Sequence, residues 1–189
     1  MNAPNTTALI IVDVQNDFCE GGALAVSGGT QVARDVNGLV ADAGYAHVLA
    51  TRDAHIDPGA HFSDTPDFVD TWPRHCVVGT NGASFHPDLV IGPIEATFDK
   101  GAYEAAYSGF EGADEHGTSL AQWLRTAGCD AVDVVGIATD HCVRATALDA
   151  AAAGFRTRVL VDYTVGVAPE STQRALAEMV AAGIDVVGG

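Results

Sequence analysis

The chain has 189 residues, 48% of them hydrophobic and 18% charged, a composition typical of a globular protein long enough to bury a sizeable core. Its formal net charge of -16 makes nucleic acid and anionic membranes poor partners, and no early apolar run has the length of a signal peptide or a membrane span. The four cysteines form no CxxC pair, so we expect reduced thiols in a cytoplasmic protein.

The first 93 residues predict two strands, one helix and a long loop. The apolar stretch ALIIV opens the segment 8–18 and predicts a buried strand that ends at Asp13. Apolar residues at helical spacing cover 28–44, and a second strand is predicted over 46–53. The following segment, 53–93, shows neither period, and a loop of this length in a compact domain is usually functional or disordered. Its tryptophan, its phenylalanines and four of the seven histidines argue against disorder.

The rest of the chain alternates between strands and helices. Strands are predicted over 94–100, 130–137, 156–163 and 184–187, and helices over 119–128, 140–154 and 169–183. Apolar strands that alternate with helices predict an α/β fold in which residues 1–189 form one domain, a three-layer sandwich with a mainly parallel central sheet flanked by helices on both faces.

Four chemically active groups fall where predicted strands end. Asp13, Asp53, Lys100 and the turn 137–142 each follow a strand, and binding sites of such sheets lie outside the carboxyl ends of the strands. Lys100 is also the single lysine among nine basic residues. Genomic bias towards arginine explains that as readily as a need for a compact ammonium group. The convergence itself predicts the position of the site.

Cys142 is the candidate nucleophile. If Thr139 or Asp140 caps the following helix, the thiol lies in the first turn, where the helix dipole and the free N–H groups favour a thiolate and an oxyanion. A structural cysteine is the alternative. Neighbours on a helix point apart, so His141 is interpreted as a surface or cap residue and not as the base.

Asp13 is the candidate acid/base. A carboxylate near a desolvated thiol can move a proton between the sulfur and a leaving amine. Lys100 would favour both the thiolate and the ionised carboxylate. The alternative for Asp13 is a carboxylate that caps the turn after the strand.

The loop 53–93 carries a candidate metal site. Asp53, His55, His61 and His75 follow the pattern D-x-H-x5-H-x13-H, and one carboxylate with three imidazoles suits Fe, Mn or Zn. Histidines that bond neighbouring aspartates are the alternative, and Cys76 is a competing ligand. Because one carboxylate and three imidazoles suit such an ion, we expect one divalent transition metal.

Four segments together resemble the nicotinamidases of the isochorismatase-like cysteine hydrolases: IIVDVQNDFCEGG, TRDAHIDPGAHFSDTPDFVDTWPRHCVVGT, FDKGAYEAAYSGF and VVGIATDHCVRATALDA. The likeness covers nearly the whole chain. It implies hydrolysis of nicotinamide to nicotinate and ammonia within NAD salvage, with pyrazinamide as a second substrate. The partner is then a small molecule, and we expect a monomer or a small homo-oligomer.

The resemblance also implies a role for individual residues. It assigns catalysis to Asp13, Lys100 and Cys142, and the metal to Asp53, His55, His61 and His75. It implies a cis peptide between Ile137 and Ala138, and an oxyanion hole formed by the N–H groups of Ala138 and Cys142. The substrate-binding residues would be Phe18, Trp72, Ile137 and Tyr107.

The residues are also compatible with several alternative functions. A related cysteine amidase would act on a ureido, carbamoyl or maleamate-type amide. A metal-activated water would hydrolyse the substrate without the thiol, and a non-catalytic domain would bind metal or nicotinamide only. A vinyl-ether hydrolase is disfavoured because that chemistry does not need a thiol.

Overall fold

The computed structural model describes residues 6–189, which form a sheet of six strands with α-helices on both faces. The strands are β1 (Thr7–Val12), β2 (His47–Asp53), β3 (Ala96–Lys100), β4 (Ala131–Ile137), β5 (Arg156–Val165) and β6 (Asp185–Val187). The helices are α1 (Gly29–Asp42), α2 (Leu120–Thr126), α3 (Arg144–Ala152) and α4 (Pro169–Ala181). Within residues 6–189, the helices are all too short or too polar to cross a membrane.

The sheet has the order β3-β2-β1-β4-β5-β6, and each neighbouring pair is parallel. From β1, the strands β2 and β3 are added towards one edge of the sheet, and β4, β5 and β6 are added towards the other edge. The direction of strand addition therefore changes between β1 and β4, where loops from adjacent strand ends diverge and leave a crevice. The predicted α/β fold with a parallel central sheet is confirmed.

The apolar run of β1 explains the layered core. Ala8, Ile10 and Val12 pack in one cluster with residues of α2, α3 and α4, whereas Leu9 and Ile11 pack in a second cluster with α1. Successive side chains of a strand point to opposite faces, so a strand that is covered on both faces has to be apolar throughout.

The turn after β4 differs from the prediction. Residues Thr139–Val143 form a π-helical turn, and the α-helix begins only at Arg144. Neither predicted cap residue caps it. The hydroxyl of Thr139 donates to that of Thr164 at 2.9 Å, and the carboxylate of Asp140 accepts the amide of Val167 at 2.9 Å. Both side chains bond the chain around the end of β5 and the start of α4, a tertiary contact that local sequence does not reveal.

The long loop is packed against the rest of the molecule. Isolated bridges join Gln15 to Phe85 and His55 to Val77, and short 3-10 turns form at Gly59–His61 and Asn81–Ala83. These contacts hold the loop over the carboxyl ends of β1 and β2, the edge of the sheet where the site is expected.

Candidate active site

The ends of four strands bring one thiol, two carboxylates and one ammonium together. Asp13 directly follows β1, Asp53 and Lys100 end β2 and β3, and Cys142 lies in the turn after β4. Asp53 and Lys100 are direct partners in the register of β2 and β3. The Lys100 Nζ is 2.9 Å from Asp13 Oδ2 and 3.8 Å from Cys142 Sγ, and it also donates to Asp53 Oδ1. A single ammonium group therefore joins all three acidic groups.

Burial and charge set the protonation states at this junction. Burial raises the pKa of Asp13, and Lys100 opposes the rise. Burial also raises the pKa of the Cys142 thiol well above its ordinary value, again against the pull of Lys100. The raised pKa of Cys142 favours the protonated sulfur, and the raised pKa of Asp13 makes its carboxylate a stronger base for that proton.

The other pair at the junction stays charged. Burial alone would lower the pKa of Lys100, but the charges of Asp13 and Asp53 hold it well above its ordinary value. Burial alone would raise the pKa of Asp53, but Lys100 and the neighbouring imidazoles of His55 and His75 hold that pKa well below its ordinary value. Lys100 and Asp53 thus form a lasting ion pair beside the more labile pair of Asp13 and Cys142.

A cavity of about 630 Å³ opens above the thiol. The structure brings the residues expected at the substrate and at the oxyanion to its lining: Phe18, Trp72, Tyr107, Ile137, Ala138 and Cys142. The indole N–H of Trp72 donates to the Tyr107 hydroxyl at 3.0 Å, which fixes both rings in the wall. The peptide bond between Ile137 and Ala138 is cis.

His141 has a place that the sequence interpretation missed. It lines the cavity, with its ring edge-on to Trp72 at 5.4 Å and stacked near Tyr107 at 6.3 Å between centroids. Burial lowers its pKa. The interpretation as a surface or cap residue is therefore wrong. Both His141 and Cys142 line the cavity, although they are consecutive residues of the turn.

Three buried histidines form a potential metal site next to the ion pair. Ring nitrogens of His55, His61 and His75 lie within 4.8 Å of one another. The Nδ1 atoms of His55 and His75 bond the carbonyls of Gly101 at 2.6 Å and Pro73 at 2.7 Å, the arrangement that orients an imidazole towards a metal through Nε2. His55 Nε2 and His61 Nδ1 are buried without a hydrogen-bond partner. These residues fit a divalent transition ion.

Asp53 and Cys76 are placed differently from the three histidines. Asp53 Oδ2 lies 3.5 Å from His55 Nε2 and 3.7 Å from His75 Nε2, but the carboxylate falls outside the compact histidine group and also contacts Lys100. The Cys76 sulfur is 4.0 Å from the carbonyl of Gly82, and it is not part of the group. Asp53 therefore links the histidines to the lysine, and Cys76 does not compete as a ligand.

Sequence reasoning also missed Asp17, which supports the cavity from outside. Its carboxylate accepts the amides of Cys76 at 2.7 Å and Ala23 at 3.1 Å. It thereby ties the segment after β1 to the loop that carries the histidines. An aspartate beside the glycine-rich sequence CEGG is a signal for such loop contacts, since short carboxylates readily accept backbone amides.

Comparison with known proteins identifies the family. The isochorismatase domain matches residues 7–188. The chain belongs to the isochorismatase family. It is 62% identical to the nicotinamidase/pyrazinamidase of Mycobacterium tuberculosis over 181 residues, which cover 95% of this chain and 97% of that relative. The family resemblance inferred from the four sequence segments is thus confirmed.

Solved structures of isochorismatase-family proteins share the fold. The pyrazinamidase of Pyrococcus horikoshii in complex with zinc has a TM-score of 0.83 and 41% identity, over 97% of this chain and 99% of that chain. The PnC1 protein from L. infantum in complex with nicotinate has a TM-score of 0.86 and 34% identity, over 98% and 93%. The isochorismatase-family fold therefore extends over nearly the full length of this chain.

Proposed function

We propose that this protein is a nicotinamidase, which hydrolyses nicotinamide to nicotinate and ammonia and pyrazinamide to pyrazinoate and ammonia. One observation carries the proposal: a buried thiol, carboxylate and ammonium meet at the floor of a cavity that has aromatic walls and borders three histidines. The M. tuberculosis relative named nicotinamidase/pyrazinamidase and the L. infantum structure with nicotinate support it.

The first half of the reaction forms a thioester. The sulfur of Cys142 attacks the carboxamide carbon while Asp13 takes the thiol proton. The carbonyl oxygen becomes an oxyanion, which the backbone N–H groups of Ala138 and Cys142 stabilise. The C–N bond then breaks, and Asp13 returns its proton to the leaving nitrogen, which departs as ammonia. Lys100 stays protonated throughout and balances the negative charge at the sulfur and at Asp13.

The second half releases the acid. Water attacks the thioester carbon while Asp13 takes a proton from it, and the same N–H groups hold the new oxyanion. The C–S bond breaks, the sulfur takes the proton from Asp13, and the acid that forms gives its remaining proton to solvent and leaves as nicotinate. Asp13 serves in turn as base and acid, which suits its raised pKa.

The aromatic walls of the cavity and the three histidines orient the pyridine ring of the substrate. Phe18 and Trp72 offer faces for stacking a flat heteroaromatic ring. A divalent ion (Fe, Mn or Zn) held by His55, His61 and His75, with Asp53 beside them, would supply a Lewis acid for the ring nitrogen. The ring is then fixed at two points, and its carboxamide is presented to Cys142.

The protein acts, on this proposal, as one domain whose segment 53–93 is the metal-binding loop. All four cysteines are free thiols. Free thiols persist in reducing compartments, so we propose the cytoplasm as the place of action.

Ammonia release from nicotinamide tests the proposal. Cys142→Ala should lower kcat by at least about a thousandfold, because no other group replaces the nucleophile. Cys129→Ala, which removes another buried thiol far from the cavity, is the matched control and should keep activity. Metal content of both variants, measured by mass spectrometry, should equal that of the unaltered protein.

Three outcomes would contradict the proposal. Substantial turnover by Cys142→Ala that stops on chelation would indicate a metal-activated water. Release of ammonia from ureido, carbamoyl or maleamate-type amides, but not from nicotinamide, would indicate a related cysteine amidase. Binding of nicotinamide or metal without ammonia release would indicate a non-catalytic domain.

A further inference from the structure

The cavity is larger than the proposed substrate requires. Its volume of about 630 Å³ lies within the range of roughly 300–1,000 Å³ that is typical of pockets for drug-sized ligands. Nicotinamide is much smaller, a single six-membered ring with a carboxamide. Cys142 and the aromatic wall account for the inner part of the cavity, which leaves the outer part without an assigned role.

Apolar side chains line the outer part, which we call the outer chamber. Its residues are Leu24, Phe68, Val69, Val167 and Ala168. Phe68, Val69 and Val167 are each more than half exposed, which places them at the mouth, whereas Cys142 is 7% exposed. The Phe68 ring lies edge-on to Trp72, 6.2 Å between centroids, so the outer chamber continues the aromatic wall.

Each segment of the outer chamber is fixed by a carboxylate that accepts one of its amides. Asp17 accepts from Ala23 at 3.1 Å, Asp67 from Val69 at 2.9 Å and Asp140 from Val167 at 2.9 Å. The Ser171 hydroxyl at the same wall donates to Asp140. The chamber is therefore preformed, and its polar groups are committed to the protein. A preformed apolar wall favours an apolar ligand group, because little order has to be gained on binding.

We propose that the outer chamber binds an uncharged alkyl substituent on the ring of the substrate, so that the protein hydrolyses nicotinamides alkylated at ring carbon 5. The inference rests on the proposed function. Carbon 5 is meta both to the ring nitrogen and to the carbon that bears the carboxamide. With the carboxamide at Cys142 and the ring nitrogen facing the histidines, a group at carbon 5 is directed away from both and therefore towards the rest of the cavity.

The negative charge of the protein predicts a preference for an uncharged substituent over an anionic one. The net charge of -16 repels anions, and the side chains of the outer chamber carry no cation. An alkyl chain that becomes buried should lower KM by up to about fourfold per methylene group, whereas a carboxylate at its end gains no partner.

The experiment compares kcat/KM for nicotinamide, 5-propylnicotinamide and 5-(2-carboxyethyl)nicotinamide, with ammonia release as the readout. We expect kcat/KM for the propyl compound to equal or exceed that for nicotinamide, and kcat/KM for the carboxyethyl compound to be at least about tenfold lower than that for the propyl compound. Val167→Phe, which fills the mouth, should lower the ratio of propyl compound to nicotinamide by about tenfold or more. Val180→Phe, a change at an exposed α4 residue outside the cavity, should leave that ratio unchanged.

Failure of this inference is distinct from failure of the proposed function. If nicotinamide releases no ammonia, the proposed function fails, and the inference fails with it. If nicotinamide is hydrolysed and kcat/KM for the propyl compound is lower than that for nicotinamide, the outer chamber does not take the substituent. Equal use of the propyl and carboxyethyl compounds, or equal ratios in Val167→Phe and Val180→Phe, would also overturn the inference.

Discussion

Asp13 and Asp133 are two fully buried carboxylates, one directly after β1 and the other within the adjacent strand β4. The groups that contact them differ. Asp133, in the middle of β4, accepts the Tyr45 hydroxyl at 2.7 Å and two guanidinium bonds from Arg158 at 2.7 and 2.5 Å. Asp13, beyond the end of β1, accepts the Thr51 hydroxyl at 2.6 Å and faces the Lys100 ammonium at 2.9 Å.

The difference shows that burial alone does not mark a catalytic carboxylate. Arg158 keeps its charge and its planar pair of donors at any pH that the fold survives, so Asp133 is saturated by partners that do not give up a proton. Asp13 adjoins a thiol whose proton it can accept, next to a cavity that admits a substrate. We infer a structural role for Asp133 and a chemical one for Asp13.

The largest effect should come from removing the charge at Asp13. Asp13→Asn takes away the proton acceptor and keeps the shape, so we expect kcat for nicotinamide to fall by about a hundredfold to ten-thousandfold. Asp133→Asn is the matched control. It should keep activity and lower the free energy of unfolding by about 2 kcal/mol, because charged hydrogen bonds become neutral ones. A large loss of activity in Asp133→Asn with normal activity in Asp13→Asn would reverse the assignment.

The cations that face the two carboxylates should differ in their effect on stability. Lys100→Met leaves two buried carboxylates without their ammonium, so we expect the free energy of unfolding to fall by about 3–5 kcal/mol in urea titrations. Arg158→Met should cost about 2 kcal/mol, because the Arg158 side chain is 49% exposed and water can replace part of it. Equal losses in the two variants would show that the buried ion pairs of Lys100 contribute no more to stability than the ion pair of Arg158.

The gain in stability from a bound ion should depend on the three histidines beside Asp53 and not on Asp133. Zn²⁺ at about a hundred times its Kd should raise the free energy of unfolding by about 2.7 kcal/mol, equally in the unaltered protein and in Asp133→Asn. His61→Ala should abolish that gain, and His116→Ala, a change at an exposed histidine, should preserve it. Thermal unfolding with and without Zn²⁺ measures both. An unchanged gain in His61→Ala would place the ion elsewhere.

The smallest effect on stability is expected at Glu20, an exposed carboxylate that contrasts with the two buried ones. Glu20 accepts the amides of Thr30 at 2.8 Å and Gly28 at 2.5 Å at the start of α1. The Thr30 side chain and these two amides hold the pKa of Glu20 at about 2. Solvent screens its charge, so Glu20→Ala should cost only about 1 kcal/mol, as for a helix cap.

The pH dependence of that effect has a definite sign. The pKa of Glu20 is lower in the folded state than in the unfolded one, so its contribution is complete above the ordinary value of 4.5 and is lost as the pH falls towards about 2. Unfolding of Glu20→Ala and of the unaltered protein should therefore differ at pH 6 and converge near pH 2. A difference that grows on acidification would contradict this role.

Strand ends were the part of the site that could be predicted well. The apolar runs of β1, β2 and β4 fix where each strand stops, and parallel strands bring their carboxyl ends to one edge. Asp13, Asp53, Lys100 and Cys142 therefore had to lie near one another. The position of His141 could not be predicted in this way, because it depends on the π-helical turn and on which rings stand opposite. The partners of Thr139 and Asp140 come from β5 and the start of α4, beyond the reach of local capping rules.

The sequence by itself determined the α/β fold, the order of its elements and the set of reactive side chains, because hydrophobic periodicity and strand boundaries are local properties of the chain. Tertiary structure alone decided how those side chains share their partners: that Lys100 contacts both carboxylates and the thiol, that Asp53 lies between the lysine and the histidines, and that three anchored segments build an apolar outer chamber. Charge–charge contacts and cavities depend on distances between residues far apart in the chain, and only packing sets those distances.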